Sequence, residues 1–360
     1  MPVDGPVPWE CTEHTAAKHD IYRRYLERWF PILLRGRHAF ASVTYAEGFA
    51  GPGTYIGGEP GSPIIAIQAL ISQVPKDSGI ARFVFVDDDP RCTARLLDEL
   101  KAAFPDRPRT TTAMPVLVRQ GTCQDELETA LAVAHAWDQP IFANLDSWGN
   151  VPVPHRLLQR IAKNISSEVI VTLLPQHFVR FVTQLGPAGD EVFGGDPAWR
   201  EVVNRSPEAK SRHILECYRR SLQAAGFKYL LDFELVTPRG QSLYLVFGTS
   251  NSLGVEKMKD SLWEVDRSTG IGFRDPRAEQ AETLFELDEP DLAPLRRFLR
   301  QRLADDGPAR VESLREWTHW NTVYRKQHVI AALTRLRNDG AITADHPGPI
   351  RRASTVCLNA

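Results

Sequence analysis

Apolar positions recur at helical spacing from His14 to Phe30, where Ile21, Tyr25 and Trp29 form one stripe flanked by Tyr22, Leu26 and Phe30. Lys18, Arg23, Arg24 and Glu27 face elsewhere, so the pattern predicts an amphipathic leading helix. Short apolar runs then alternate with helical stretches. Val43 to Glu47 precedes a helix from Pro63, Arg82 to Asp87 one from Pro90, and Val116 to Arg119 one over Cys123 to His135; Pro140 to Asp146 precedes one over Pro154 to Lys163, and Glu168 to Leu174 follows. Strands alternating with helices predict a parallel sheet with right-handed crossovers.

The alternation breaks after Leu174. A polar stretch with Gly194, Gly195 and Pro197 leads to a helix near Ser211 to Ala225, read as a helical insertion over the sheet at about 176–226. Tyr229 to Val236 and Ser242 to Gly248 flank the turn Thr237-Pro238-Arg239-Gly240-Gln241 and predict an antiparallel hairpin. From about Asp288 the texture changes: stripes over Leu292 to Leu303, Val311 to Trp317 and Tyr324 to Asn338, then Gly340 and a short Thr- and Val-bearing segment, predict a winged-helix module. The expected division is 1–285 for the α/β domain and 286–360 for the second.

Composition narrows the class. With 42% hydrophobic and 24% charged residues the chain is ordinary globular in make-up. No run approaches a membrane span, and Pro, Glu and Asp stand where a signal peptide would be basic then apolar, so a cytoplasmic protein without membrane contact is expected. Cys11, Cys92, Cys123, Cys217 and Cys357 include no C-x-x-C pair, and His14, His155, His177 and His213 lack ligand spacing, so no metal site is expected. A net charge of −2 makes any polyanion-binding surface a local one.

The strongest chemical signal is Glu47-Gly48-Phe49-Ala50-Gly51-Pro52-Gly53 at the tip of the first strand, where open α/β sheets bind ligands. Gly51 and Gly53 let the backbone turn sharply and approach a ligand closely. A dinucleotide fold opens its helix immediately after such glycines. Here Tyr55, Gly57, Gly58 and Glu59 intervene, and the helix is expected only at Ser62-Pro63, a good cap followed by Pro.

This acid and glycine arrangement suits the amino-acid end of S-adenosylmethionine, with Glu47 facing the ligand ammonium. Asp87 at the second strand tip is placed for a ribose diol, with Asp88 beside it, and Asp88 or Asp89 caps the next helix. Gly121, Thr122 and Cys123 at the third strand tip are candidates for the adenine pocket. At the fourth, Asp146 would orient or deprotonate a methyl acceptor and contact the cofactor; Trp148 would stack on an acceptor or exclude water, with Ser147 between them. Five parallel strands and an antiparallel pair complete a Rossmann-like class I methyltransferase sheet.

The chain resembles the three-Cys-motif partner protein family, a group of bacterial methyltransferase-like proteins. The matching segments are Lys18-His19 through the leading helix to Pro31-Ile32-Leu33, Tyr45 through Gly53, Gly58-Glu59-Pro60-Gly61-Ser62-Pro63, and Met258-Lys259-Asp260-Ser261-Leu262-Trp263-Glu264-Val265-Asp266. The resemblance implies a class I S-adenosylmethionine fold and no particular acceptor. Asp146-Ser147-Trp148-Gly149 departs from the family's Asp-Pro-Phe-Gly-like sequence, so transfer to an exocyclic base nitrogen is not implied. Lys18, His19, Tyr22 and Tyr55 are candidates for a lid or an acceptor contact.

The second module holds eight Lys/Arg against four acids from Gly307 onward, with Arg325, Lys326, His328, Arg335 and Arg337 on its expected recognition helix. That modest excess fits nucleic acid or protein as a partner, including a second copy in a homodimer. The sequence names no acceptor: a small molecule, a nucleic acid and a protein all stay open. A non-catalytic cofactor-binding or nucleic-acid-binding partner protein is the alternative, and a nicotinamide-dependent oxidoreductase a weaker third.

Overall fold

In the computed structural model, residues 6–75, 78–105, 114–236, 241–268, 270, 272–274 and 290–359 are described. The expected turn at 237–241, apart from Gln241, and the expected boundary at 285/286 lie outside them. Contacts divide the chain into Met1–Lys257 with Gly272–Gln280, and Met258–Ile271 with Ala281–Ala360.

In the first unit, α1 (Glu13–Arg35) precedes β1 (Ser42–Glu47), α2 (Ser62–Gln73), β2 (Ile80–Asp87), α3 (Pro90–Ala103), β3 (Val116–Gln120), α4 (Cys123–Val133), β4 (Ile141–Leu145), α5 (His155–Lys163) and β5 (Glu168–Leu173). The return to the sheet runs through a kinked α6 (Pro175–Val192), a 3-10 turn (Pro197–Asn204) and α7 (Pro207–Ala225) to β6 (Tyr229–Val236) and β7 (Ser242–Thr249). α8 (Ser252–Val265) begins in this unit and from Met258 on belongs to the second, and β8 (Gly272–Arg274) belongs to the first. The sheet order is β3-β2-β1-β4-β5-β7-β6-β8. β1 to β5 are parallel, and β7 is inserted antiparallel to both β5 and β6. The order reverses between β1 and β4, so their C-terminal ends frame the crevice in which such sheets hold ligands.

Every residue of β1, β4 and β5 is buried, as strands covered on both faces must be. On one face Tyr45 stacks on Phe142 with ring centroids 5.9 Å apart, and Tyr25 of α1 packs on Phe142 and Phe247. The apolar stripe read in the leading helix is thus what α1 sinks against the sheet. α6, the 3-10 turn and α7 are the β5-to-β6 crossover itself: Phe178, Trp199, Tyr218 and Leu222 share a core with Val169, Val171 and Val246. The expected insertion over 176–226 therefore belongs to the body of the unit.

Tyr25 and Thr249 donate hydrogen bonds to opposite oxygens of Glu168 at 2.5 and 2.8 Å. Burial nonetheless pushes its carboxyl up to about 7. The native state then holds a proton that the unfolded chain loses near pH 4.5, so stability falls as pH rises between about 4.5 and 7 and is flat above. Glu168→Gln, neutral at every pH, is expected to be more stable than the parent by roughly 3 kcal/mol at pH 8 and nearly equal to it at about pH 4. Urea unfolding at both pH values checks this, and equal shifts at both would refute it.

The second unit contains α9 (Ala293–Asp306), β9 (Ala309–Arg310), α10 (Val311–Asn321), α11 (Lys326–Asn338), β10 (Ile342–Ala344) and β11 (Thr355–Leu358). The strands form an antiparallel sheet in the order β10-β11-β9. Lys259 of α8 caps the end of α10, donating to the carbonyls of His319 and Thr322 at 2.6 Å each and of Tyr324 at 3.3 Å. Trp263 donates to the Val323 carbonyl at 3.0 Å and packs on His328 at 4.4 Å.

The expected cationic face is largely engaged within this unit. Arg325 pairs with Asp260 at 3.6 Å and Lys326 with Glu316 at 2.5 Å, Arg337 donates to the Gly348 carbonyl at 2.8 Å, and His328 is buried. Arg335 is exposed.

Candidate functional site

The Glu47–Gly53 loop leaves β1 at the sheet's switch point, and Gly51 and Gly53 take φ of +65° and +84°, the left-handed region that favours glycine. Beyond them the chain closes a small hairpin in which Thr54 bridges Pro60 and Gly61 N–H donates to the Gly53 carbonyl at 2.7 Å. Gly61 caps α2. Ser62 does not cap it as the sequence suggested; it is the first helical residue, and its hydroxyl donates to Glu47 Oε2 at 2.8 Å.

Next to this loop a cleft of about 630 Å³ is lined by Gly48, Phe49, Gly51, Asp87, Asp88, Thr122, Cys123, Ser147 and Trp148, all singled out in the sequence. A smaller compartment of about 60 Å³, sharing Phe49, Gly51 and Trp148 with the first, is lined by Gly53, Tyr55, Lys18, His19, Ser62 and Asp146. Residues from four strand tips and α1 thus meet in one place. Trp9, Asp89, Cys92, Gln124, Asn150, Pro152 and His177 also line the larger cleft and carried no signal as ligand contacts.

Three expected contacts are absent from the lining. Glu47 is 1% exposed and lines neither compartment: it shares the Tyr45 face of β1, and its carboxylate accepts from the Tyr45 hydroxyl at 2.7 Å and from Ser62. Gly121 serves the turn into α4, where a Cβ would meet Glu126 at 2.3 Å. Tyr22 is buried at 2% exposure and also lines neither compartment.

The charges are strongly tuned. Burial pushes the Glu47 carboxyl up to about 8 against its two hydrogen bonds, so it is a neutral acid at pH 7. Burial also pushes Asp87 up, although Gly51 N–H at 2.7 Å and Asp89 N–H at 3.0 Å donate to its two oxygens. Asp89 caps α3 through the Arg91 N–H, settling which acid of the triplet takes the capping role. For Asp146, burial works upward, but the Lys18 ammonium 2.5 Å away outweighs it and holds the carboxyl below its usual range. His19 is lowered to about 4 by burial and by Lys18, hence a neutral imidazole at pH 7. Burial raises the Cys92 and Cys123 thiols to about 12, which disfavours their thiolates at neutral pH. Among the described residues no group of three or more His, Cys, Asp or Glu could hold a metal ion, and no helix is long and apolar enough to cross a membrane.

No family model and no curated protein matches the chain. Among solved structures it is similar to a DszA carbon methyltransferase, at 13% identity and a TM-score of 0.36 over 66% of this chain and 55% of that one. It is also similar to an O-methyltransferase from Bacillus cereus in complex with SAH, at 10% identity and a TM-score of 0.33 over 63% and 80%. A third is the O-methyltransferase TomG from Streptomyces achromogenes in complex with SAM, at 12% identity and a TM-score of 0.32 over 64% and 79%. The chain spans about half the length of the first of these.

Proposed function

We propose that the chain is an S-adenosylmethionine-dependent methyltransferase. The observation that carries this reading is the convergence of acids and glycines on a cleft of about 630 Å³, within the range of small-molecule sites, with the Lys18–Asp146 ion pair in the adjoining smaller compartment. The donor set fits the cofactor part by part. Asp87 uses one lone pair of each oxygen on the backbone and retains others for a ribose diol, beside the exposed Asp88. Thr122 and Cys123 stand where an adenine edge would lie. In the smaller compartment Asp146 and Lys18 offer a carboxylate to the ligand ammonium and an ammonium to its carboxylate, the role expected of Glu47.

Bound S-adenosylmethionine would supply a methyl carbon activated by the sulfonium. The protein's part is to align the acceptor and exclude water. Asp146, held anionic by Lys18, is a weak base and an orienting group rather than the proton acceptor. That same pairing favours the second reading, a partner protein that binds the cofactor without catalysis; tritiated-methyl incorporation into an acceptor, absent in Asp146→Ala, would exclude it. We further propose that the three-Cys-motif partner resemblance holds, and that the second unit, with three helices and an antiparallel sheet, is a winged-helix module for a protein or nucleic-acid contact.

Calorimetric titration with S-adenosylhomocysteine and with NADH tests the cofactor directly. Saturable binding of S-adenosylhomocysteine with a Kd below about 100 µM and no binding of NADH is expected. Preference for NADH would overturn the reading.

A further inference from the structure

The turn after β4 is held in a costly conformation. Trp148, Gly149 and Val151 have φ of +60°, +93° and +51°, and a β-branched residue in the left-handed region is a true outlier. The Ser147 hydroxyl accepts from Val151 N–H at 3.0 Å, and the Gly149 carbonyl accepts from Leu174 N–H at 2.9 Å. A Cβ on Gly149 would stand 2.4 Å from Leu174 Cβ, so only glycine fits. The product of this strain is an indole 65% exposed, which adds little to the core.

That indole meets a second one. Trp9 lies edge-on to Trp148 with centroids 5.8 Å apart, and its carbonyl is tied to Ile56 N–H at 3.0 Å. Both tryptophans and Phe49 line both compartments, so they stand where the two join. Around them on the larger side are Ser147, Asn150, Pro152 and His177, whose titration burial lowers.

Charge decides what these rings face. The residues lining the larger cleft include Asp87, Asp88 and Asp89 and neither Lys nor Arg, while Lys18 in the smaller one is matched by Asp146. Asp89 is paired with Arg91 at 2.6 Å, and a phosphate-bearing strand would meet the other two acids with no Lys or Arg in the lining to hold it. Resting on the methyltransferase reading of this cleft, we infer that the acceptor is a flat aromatic ring without negative charge, stacked on the open face of Trp148 beside Trp9. Stacking supplies the affinity and the acids reject anions.

The test uses the full chain saturated with S-adenosylhomocysteine and three probes followed by calorimetry: 2-naphthol, 2-naphthalenesulfonate and a ten-residue oligothymidylate. 2-Naphthol is expected to bind, the sulfonate to bind at least about tenfold more weakly, and the oligonucleotide not to bind the cleft. Trp148→Ala is expected to weaken 2-naphthol roughly tenfold and Trp148→Phe to restore it. Equal 2-naphthol affinity in Trp148→Ala and the parent, no 2-naphthol binding, or preference for either anion overturns the inference. Absence of S-adenosylhomocysteine binding sinks instead the reading beneath it.

Discussion

Asp87→Ala is expected to lose S-adenosylhomocysteine binding by at least about tenfold and to destabilise the first unit by roughly 2–4 kcal/mol. The carboxylate joins the β2 tip to the glycine loop, accepting from Gly51 N–H at 2.7 Å, and holds the next turn through Asp89 N–H at 3.0 Å. Its removal leaves two part-buried donors unmatched, each worth about 1–3 kcal/mol, and frees the loop that forms one wall of the cleft. Asp88 separates the two effects. It is exposed on the cleft rim, so Asp88→Ala should weaken the ligand with little change in stability. Thermal melts with calorimetry on both variants provide the check; an Asp87→Ala protein that binds like the parent would contradict the assigned role.

Lys18→Met should destabilise the chain by roughly 2–4 kcal/mol and abolish measurable cofactor binding. The Lys18 and Asp146 side chains are 11% and 20% exposed, so the remaining carboxylate would lose its cation where little solvent can replace it. Adding Asp146→Asn should recover most of the stability and none of the binding. A double variant no more stable than Lys18→Met would show that the pair is not coupled. His19 offers an independent readout: with the Lys18 charge gone, its imidazole should titrate higher than about 4, visible in histidine NMR shifts.

What the chain revealed before its structure follows from the range of the forces involved. The tips of β1, β2 and β4 were legible because an apolar run ending in an acid or glycine is a local pattern, and Asp87, Gly51 and Asp146 do converge. Glu47 misled because β1 is buried on both faces, so no alternation marks which side is wet. Its parity with Tyr45, two residues earlier, sends it toward the aromatic layer. Trp9 and His177 reach the cleft from far along the chain, and no local spacing encodes that. The roles of Lys259 and Trp263 on α8 have no local signal either, since their partners lie some 60 residues away. The insertion of β7 between β5 and β6 is likewise a matter of long-range pairing rather than of pattern.

The most direct measurement is a crystal structure of the full chain with S-adenosylhomocysteine. The account predicts the ribose diol within hydrogen-bonding distance of Asp87 or Asp88, the adenine beside Cys123, and the amino-acid end between Lys18 and Asp146. A ligand seated elsewhere, or one that leaves all three acids untouched, would contradict it.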